Sequence, residues 1–367
     1  MPNDDLSNKI DNTTDDIDIS KRELFKSAAW LVLTASLGAG YSKVAAASES
    51  YTTPPWGATS ALVSAIGSCT LAVANLADSV EAYKQGFGYV EHWHGPIPEE
   101  MATFWGVPGM VGRKAAVVGP VGFERGMIRI VELGSDFQRT SYGSTLGWGM
   151  LEIQVRSTEE LVAGLKGSQY FVHVGGPSTA NGRDGKPIYR AAQFTGPSGE
   201  LLAMTQHLQL DQLSSVGSHN VGPLFMQILG AYPYQTTRDF YMDTLGMEKI
   251  MESDIARTNL VEELGVPKGR TYKTIYGRTP EYCTLQVDEY PDATPQRSAT
   301  PGCFAAGVSI CTLTARNLDA VKAALRKADV QFAEIESNSI PPFIGSRGIF
   351  CLGKTGERVE IVEVEKK

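Results

Sequence analysis

The sequence has no excess of basic residues and no apolar run long enough to span a membrane. Its 367 residues contain 33 Lys and Arg against 41 Asp and Glu, a formal net charge of −8. Nucleic-acid binding needs a concentrated basic face, so we predict no nucleic-acid partner. The longest apolar run, Ser27 to Tyr41, has 15 residues, whereas a bilayer span needs roughly 20. The chain is therefore predicted to have no stable membrane span.

A complete set of disulfides is also excluded. The sequence has 5 cysteines, an odd number, and no C-x-x-C motif. Cys69, Cys311 and Cys351 lie in apolar, strand-like runs. Unpaired cysteines in such runs behave as small apolar side chains, so we predict that these three are buried.

The N-terminal region has the features of an export signal. A polar, acidic leader is followed by the stretch SKRELFK, which resembles the twin-arginine signal consensus with Lys21 in place of the first arginine. A weakly hydrophobic run comes next, and the small residues Ala45, Ala46 and Ala47 then form a cleavage site. We predict that residues 1–47 are removed on export and that the mature protein is periplasmic or otherwise exported.

Four segments of the chain share one layout, an apolar strand followed within a few residues by a short amphipathic helix. They begin at Ser68, Met150, Met226 and Ile310, with spacings of 82, 76 and 84 residues. Two or three further strand-like runs follow each helix. The sequence therefore predicts an α+β protein of four βαβββ modules. We divide it into a first paired-module domain (62–208), a polar linker (209–222) and a second paired-module domain (223–365).

This order of elements resembles that of the vicinal oxygen chelate superfamily of glyoxalases, bleomycin-resistance proteins and extradiol dioxygenases. The phrases GPSGELL from Gly196 and TGERVEI from Thr355 add to the resemblance. It implies two vicinal-oxygen-chelate-like domains, in which paired modules curl their sheets into a cup. It also implies a divalent metal held by residues of the first and last strands. The reaction is not implied, because one scaffold hosts several chemistries.

The usual metal ligands are not found where the resemblance places them. The first-strand positions are Ser68, Met150, Met226 and Ile310, none of which is a usual ligand for a hard metal. The last-strand positions are Glu132, Ala203, Asp288 or Glu289, and Glu360. About one carboxylate per domain cannot complete a coordination shell. We predict no metal at the usual positions and no organic cofactor; a divalent metal on other ligands stays open.

Two carboxylates and three histidines are the candidates for catalysis. Glu132 and Glu360 lie in apolar strands, where burial would raise the carboxyl pKa and make each a usable general base. His92 and His94 have the i, i+2 spacing that points two side chains to one strand face. His173 alternates with apolar residues and is placed toward a cup. An exposed or purely structural role is the alternative for each of these residues.

The candidates for substrate binding are mainly aromatic. Aromatic side chains stack on flat or apolar ligands, and His207 shares the strand face of Ala203, toward the mouth of a cup. Core packing explains most of the aromatic residues equally well. The set is Trp93, Trp105, Trp148, His207 and Tyr232.

The function expected from this combination is proton transfer on a small-molecule substrate. The substrate would be hydrophobic, aromatic or ring-containing, and the enzyme an isomerase or lyase of aromatic compound catabolism. One alternative is a ring-cleaving dioxygenase of the extradiol type, which the missing first-strand histidines oppose. The other is a non-catalytic protein that binds a small molecule and confers resistance to it.

Overall fold

The computed structural model describes residues 61–364 apart from 142, 182–184, 209–219 and 282. The predicted export signal and most of the predicted linker lie outside these residues. No helix in the described part of the chain is long and apolar enough to cross a membrane.

The first two modules follow the predicted order of strand, helix and three further strands. The first contains β1 (Ala65–Val73), α1 (Leu76–Phe87), β2 (Val90–Pro96), α2 (Glu99–Phe104), β3 (Lys114–Gly119) and β4 (Met127–Glu132). Short 3-10 turns cover Pro108–Met110 and Gly134–Asp136. The second contains β5 (Gly147–Val155), α3 (Thr158–Gly164), β6 (Val172–Asn181), β7 (Pro187–Thr195) and β8 (Leu201–His207).

The last two modules repeat this order. The third contains β9 (Val221–Ala231), α4 (Tyr234–Asp239) with its π-helical continuation Phe240–Thr244, β10 (Glu248–Ala256), α5 (Thr258–Leu264), β11 (Thr271–Arg278) and β12 (Thr284–Glu289). The fourth contains β13 (Gly307–Ala315), α6 (Leu318–Lys327), β14 (Phe332–Ile335), β15 (Gly348–Leu352) and β16 (Arg358–Glu363).

Polar caps begin the module helices directly after the first strands. The side chains of Asn75, Ser157 and Asn317 each accept a hydrogen bond from a backbone N–H in the first turn of α1, α3 and α6. Such caps satisfy donors that the helix itself leaves unpaired. Helix α1 ends at Gly88, whose φ of 67° is a left-handed conformation that favours glycine.

The strands form two curled, eight-stranded sheets. Sheet A has the order β14-β15-β16-β13-β1-β4-β3-β2 and joins the first and fourth modules. Sheet B has the order β10-β11-β12-β9-β5-β8-β7-β6 and joins the second and third modules. First strands meet antiparallel at each centre, β1 with β13 and β5 with β9. The sequence repeat predicts paired modules but does not reveal which strand edges meet, and the structure pairs the first module with the fourth and the second with the third.

Consecutive modules are nevertheless connected through buried side chains. The Tyr83 hydroxyl on α1 donates to Glu200 of the second module at 3.0 Å. The Tyr241 hydroxyl of the third module donates to Glu357 of the fourth at 2.8 Å. The domain boundary at residues 209–222 stays a prediction.

The two faces of each sheet have different neighbours. The module helices cover one face, and their apolar side chains form the main core with both sheets. Separate apolar clusters lie on the opposite, concave faces. We call the concave face of sheet A cup A and that of sheet B cup B. Strand alternation sends Leu151 and Ile153 to the main core and Met150 to cup B. All five cysteines are buried and unpaired.

Candidate functional site

Strand register locates the centre of cup A. Thr70 of β1 pairs with Arg129 of β4, and Thr312 of β13 pairs with Glu360 of β16. Each threonine lies five residues before its helix cap, Asn75 or Asn317. The two modules are therefore in equivalent register, and Arg129 is the counterpart of Glu360.

The same register places a different set at the centre of cup B. Glu152 of β5 pairs with Ala203 of β8, and Ile228 of β9 pairs with Gln286 of β12. The predicted first-strand positions, such as Met150, are on the correct face but two residues before the centre. Glu152 was overlooked for this reason, although its five-residue distance from the cap Ser157 could have identified it.

Glu132 does not occupy the position equivalent to Glu360, and that part of the prediction is wrong. It lies at the end of β4, half-buried, and its Oε2 accepts a hydrogen bond from Leu76 N at 3.0 Å. Glu363 accepts from Leu318 N at 3.1 Å in the fourth module. Both carboxylates therefore cap helix N-termini, where a negative charge is favourable.

Glu360 lies at the centre of cup A with donors on both carboxylate oxygens. Oε2 accepts from Arg129 Nη2 at 2.8 Å and from Thr312 Oγ1 at 2.6 Å. Oε1 accepts from Trp105 Nε1 at 3.1 Å and from Asn338 Nδ2 at 3.4 Å. The Trp105 ring also lies 4.6 Å from the guanidinium carbon of Arg129. Both oxygens of this carboxylate are therefore occupied by protein donors.

Cup A is filled with protein. Glu360 is 0% and Arg129 is 1% exposed. Helix α2, the turn after it and the segments before β13 and β15 occupy the concave face with apolar side chains, among them Met101, Phe104, Met110, Phe304 and Ile340. The polar centre of cup A is therefore enclosed by protein.

Cup B holds a carboxyl group without an ion-pair partner among the described residues. Glu152 is 8% exposed, and its Oε1 accepts a hydrogen bond from Thr205 Oγ1. Burial raises the pKa of Glu152 to about 7, while the Thr205 hydroxyl lowers it. At neutral pH this carboxyl is therefore divided between its protonated and ionised forms.

The walls of cup B are largely apolar. They include Met150, Ala203, Phe225, Met226, Ile228 and Tyr276, with the half-buried Val174, Ile250 and Met251 packed against them. His207 follows Thr205 by two residues, and its ring packs edge-on to Phe225 at 5.2 Å. Burial lowers the pKa of His207 to about 4, so its imidazole is neutral at pH 7. An apolar recess with a few polar groups is typical of small-molecule sites.

The structure therefore places two of the predicted residues in cup A and one in cup B. Glu360 and Trp105 are in contact in cup A, and His207 lies on the strand face of Glu152 in cup B. Trp93 packs against the rim of the cup A cluster. Their proposed roles stay predictions.

The other predicted site residues lie away from both cup centres. His92 and His94 are exposed on the edge strand β2, where a bulge at His92 interrupts the alternation and His94 Nδ1 lies 2.7 Å from Glu91. His173 is exposed on β6 and packs on Phe194, a main-core residue, so its placement toward a cup is wrong.

Trp148 and Tyr232 are also outside the cups. Trp148 belongs to the main core, where its Nε1 donates to the Arg358 carbonyl at 2.9 Å. Tyr232 is 41% exposed in the turn before α4. For these aromatic residues the sequence alone could not separate core positions from cup positions.

The donor groups at the cup centres do not fit the metal that the family resemblance implies. In cup A a guanidinium occupies one of the four central positions, and its charge opposes a metal cation. In cup B the four positions supply one carboxylate and one amide, which is fewer ligands than a hard metal requires. Within the described residues, no group of three or more His, Cys, Asp or Glu could hold a metal ion. We therefore assign no catalytic step to a metal.

A separate small cavity lies between the two sheets near Glu200. Its lining includes Phe137, Ser141, Glu200 and Arg297, and its volume is about 30 Å³. That is room for a water molecule or two rather than a substrate. Cup B is therefore the better candidate site.

Comparison with known proteins agrees on the fold. No family model and no curated protein matches the sequence. A mutant form of glyoxalase I from Zea mays is similar over 82% of this chain and 92% of its own, with 15% identity and a TM-score of 0.55. A putative dioxygenase from Bacillus subtilis subsp. subtilis str. 168 is similar over 83% and 86%, with 12% identity and a TM-score of 0.56.

At these identities the likeness shows the fold alone. The chain has a glyoxalase-type fold, as the sequence predicted. The four modules span nearly the whole of the maize protein, so the similarity is not limited to a single module.

Proposed function

We propose that the protein is an enzyme that transfers a proton on a small, hydrophobic, ring-containing molecule bound in cup B. Glu152 is the general base, and the reaction is an isomerisation or an elimination. The observation that carries the proposal is the position of Glu152, a carboxyl with a pKa of about 7 at the centre of an apolar cup.

The pKa of Glu152 suits this role. A general base works best when its pKa lies near the working pH, because it is then ionised yet still basic. Glu360 is less suited to it by position, since both of its carboxylate oxygens accept hydrogen bonds from protein donors in an enclosed cup. The base predicted from the sequence is therefore replaced by Glu152 in the proposal.

The reaction would run through the carboxylate of Glu152. It removes a proton from a carbon beside an electron-withdrawing group, and the electron pair moves into that group. In an isomerase the protonated Glu152 returns the proton to a different carbon; in a lyase a neighbouring substituent leaves with the electron pair. A base of this kind contributes about 10²- to 10⁴-fold, which suffices for an activated substrate.

His207 is proposed as a substrate-binding residue. Its neutral imidazole presents one donor and one acceptor nitrogen. It lies on the same strand face as Thr205, two residues beyond it, at the end of β8. This position supports hydrogen bonding to a polar substituent while Glu152 acts on the ring.

The test measures hydrogen exchange between solvent and candidate substrates. Ring-containing ketones and related activated compounds are incubated with the protein in D₂O, and deuterium incorporation is followed by NMR. We expect exchange that falls by about 10² or more in Glu152→Gln. The rate constant kcat/KM should rise with pH and level off above about 7, as the pKa of Glu152 requires.

The matched control is Glu132→Gln, which removes a half-buried carboxylate outside both cups and should keep full exchange activity. Full activity in Glu152→Gln would contradict the proposal. Binding without any exchange or turnover would favour the non-catalytic binding protein instead. Activity that depends on a bound metal would favour the dioxygenase.

We also propose that the enzyme acts outside the cytoplasm. The support is the sequence alone: the twin-arginine-like stretch at Lys21 and Arg22, the short apolar run and the small residues before Ser48.

A further inference from the structure

Besides Glu152 and Thr205, cup B contains a buried polar cluster centred on Asp288. Its Oδ1 accepts hydrogen bonds from Arg257 Nη2 and from Thr274 Oγ1, the latter at 3.0 Å. Gln286 Nε2 donates to both carboxylate oxygens, at 2.8 and 3.0 Å. Asp288 is 0% and Gln286 is 1% exposed. Burial raises the pKa of Asp288, and Arg257 opposes that rise.

This cluster fixes the orientation of the Gln286 amide. The carboxylate of Asp288 only accepts hydrogen bonds when ionised, so the NH₂ end of Gln286 has to face it. The carbonyl oxygen Oε1 is therefore directed away from Asp288. It is buried and has no hydrogen-bond partner among the described residues. A buried acceptor left unpaired is energetically unfavourable.

A second unpaired amide oxygen lies on the other side of Glu152. Gln193 of β7 is 1% exposed, and its Oε1 has no partner within the described part of the chain. Gln193 faces cup B because it pairs with Ala203, which itself pairs with Glu152. Glu152 is therefore flanked by two amide oxygens that are available as acceptors.

The spacing of Gln193, Glu152 and Gln286 across the sheet suits a ligand with one or two rings. Gln193 and Glu152 lie two strands apart in one row, about 10 Å between backbones at the usual strand spacing. Gln286 lies in the row of Met150, two strands from β5 in the other direction. Because side chains on a concave face converge, a ligand over Glu152 would reach either amide.

The charges of the cluster disfavour an anionic ligand. Arg257 is the cation of this group, and Asp288 already pairs with it. Glu152 adds a negative charge when it is ionised. A carboxylate or phosphate on the ligand would lie beside hydrogen-bond acceptors and acidic side chains, which repel it. A hydroxyl or N–H group on the ligand would instead donate hydrogen bonds to those acceptors.

We propose that cup B binds an uncharged ring that carries hydroxyl or N–H groups, and that the Gln286 and Gln193 carbonyl oxygens accept its hydrogen bonds. Asp288 and Arg257 are positioning residues that hold the Gln286 amide. The proposal rests on the proposed function for the identity of the cup, and it names the chemical class of its substrate.

The test compares four fluorescent probes of similar size: naphthalene, 2-naphthol, 2-methoxynaphthalene and 2-naphthoate. Only 2-naphthol is uncharged and carries a donor. Binding is measured by fluorescence titration at pH 7 with the mature chain. We expect 2-naphthol to bind about ten-fold or more tightly than the methoxy compound, since an unpaired buried acceptor gains a partner. Equal binding of these two probes, or tightest binding of 2-naphthoate, would overturn the proposal without any variant.

Variants then locate the acceptors. Gln286→Met and Gln193→Met keep the length of the side chain and remove its amide, so the preference for 2-naphthol should shrink toward unity while 2-methoxynaphthalene binding is kept. The matched control is Gln227→Met. Gln227 is another buried glutamine of sheet B, but it pairs with Leu151 on the helix-covered face, so the preference should persist. A preference that survives loss of both cup amides would contradict the assignment.

Failure of this inference can be distinguished from failure of the proposed function. Glu152→Gln should abolish proton exchange and retain the preference for 2-naphthol. If Glu152→Gln loses exchange but the wild type shows no probe preference, Glu152 is still the general base and the proposed substrate class is wrong. If the wild type prefers 2-naphthol but Glu152→Gln keeps its exchange activity, cup B selects ligands with a donor group and the proposed proton transfer is wrong.

Discussion

Two buried glutamates, Glu200 and Glu357, should make the free energy of unfolding depend on pH near neutrality. Glu200 is 5% exposed, accepts from Tyr83 and from Ser198 N, and burial raises its pKa to about 7. Glu357 is 3% exposed, accepts from Tyr241 and from Thr355 N, and has its pKa raised to about 7 for the same reason. Both lie between modules that belong to different sheets.

The difference in proton binding between the folded and unfolded chains sets the direction in which stability changes with pH. The ordinary carboxyl pKa is 4.5 and the native value about 7, so between these values the native state holds a proton that the unfolded chain has lost. The stabilisation is complete below 4.5 and is lost as the pH rises to 7. Each pH unit of this window is worth about 1.4 kcal/mol, which gives about 3 kcal/mol for each glutamate as an upper value.

The perturbation is Glu200→Gln, whose side chain stays neutral at every pH. Its carbonyl can accept from Ser198 N while its NH₂ donates to the Tyr83 hydroxyl, since a phenol both donates and accepts. Urea unfolding at pH 5 and pH 8, followed by tryptophan fluorescence, should show that the variant gains about 2–3 kcal/mol relative to the wild type between the two conditions.

Tyr83→Phe provides a change of opposite sign. The Tyr83 hydroxyl is one of the groups that lower the pKa of Glu200, so its removal should raise that pKa further and enlarge the loss of stability between pH 5 and pH 8. Equal pH dependence in the wild type, Glu200→Gln and Tyr83→Phe would refute the reasoning, because it would mean that Glu200 titrates alike in the folded and unfolded chains.

Three further predictions concern cup A, metal content and export. Arg129→Met should destabilise the protein by about 3–5 kcal/mol, because Glu360 would keep a buried charge without its cation. The double variant Arg129→Met/Glu360→Gln should recover most of this loss. A single variant as stable as the double variant would contradict the prediction. Elemental analysis of the mature chain should find Fe, Mn, Ni and Zn far below one per chain, whereas one tightly bound metal needed for activity would favour the dioxygenase. Mass spectrometry of periplasmic material should find Ser48 at the N-terminus; intact residues 1–47 there would contradict removal of this segment on export.

The fold could be predicted because its signals are local and repeated. The four predicted strand–helix segments, which begin at Ser68, Met150, Met226 and Ile310, coincide with the first strands β1, β5, β9 and β13 and the helices that follow them. Strand alternation and helix caps act over a few residues, so each module carries its own evidence. The choice of sheet partner depends on contacts between β1 and β13 or β5 and β9, which no local pattern specifies.

The candidate site was harder to predict because it depends on register and on distant residues. Counting from Met150 placed the centre of β5 two residues too early and missed Glu152. Arg129 and Glu360 are 231 residues apart in the chain, so neither residue alone indicates an ion pair. The cap residues Asn75, Ser157 and Asn317 give the more reliable measure, since each follows the central strand position by five residues.

The polar side chains at the centres of the two cups differ in how the protein neutralises them. In cup A the protein supplies both charges, Arg129 and Glu360, and surrounds them with donors and apolar side chains until neither is exposed. In cup B the carboxyl of Glu152 has the Thr205 hydroxyl as its donor, with a pKa of about 7, so ionising it above that pH lowers the stability of the folded chain. Glu200 and Glu357 have the same raised pKa, but each lies between modules and accepts a hydrogen bond from a tyrosine hydroxyl, whereas Glu152 lies at the centre of a cup. This contrast is the physical reason for assigning the reaction to cup B.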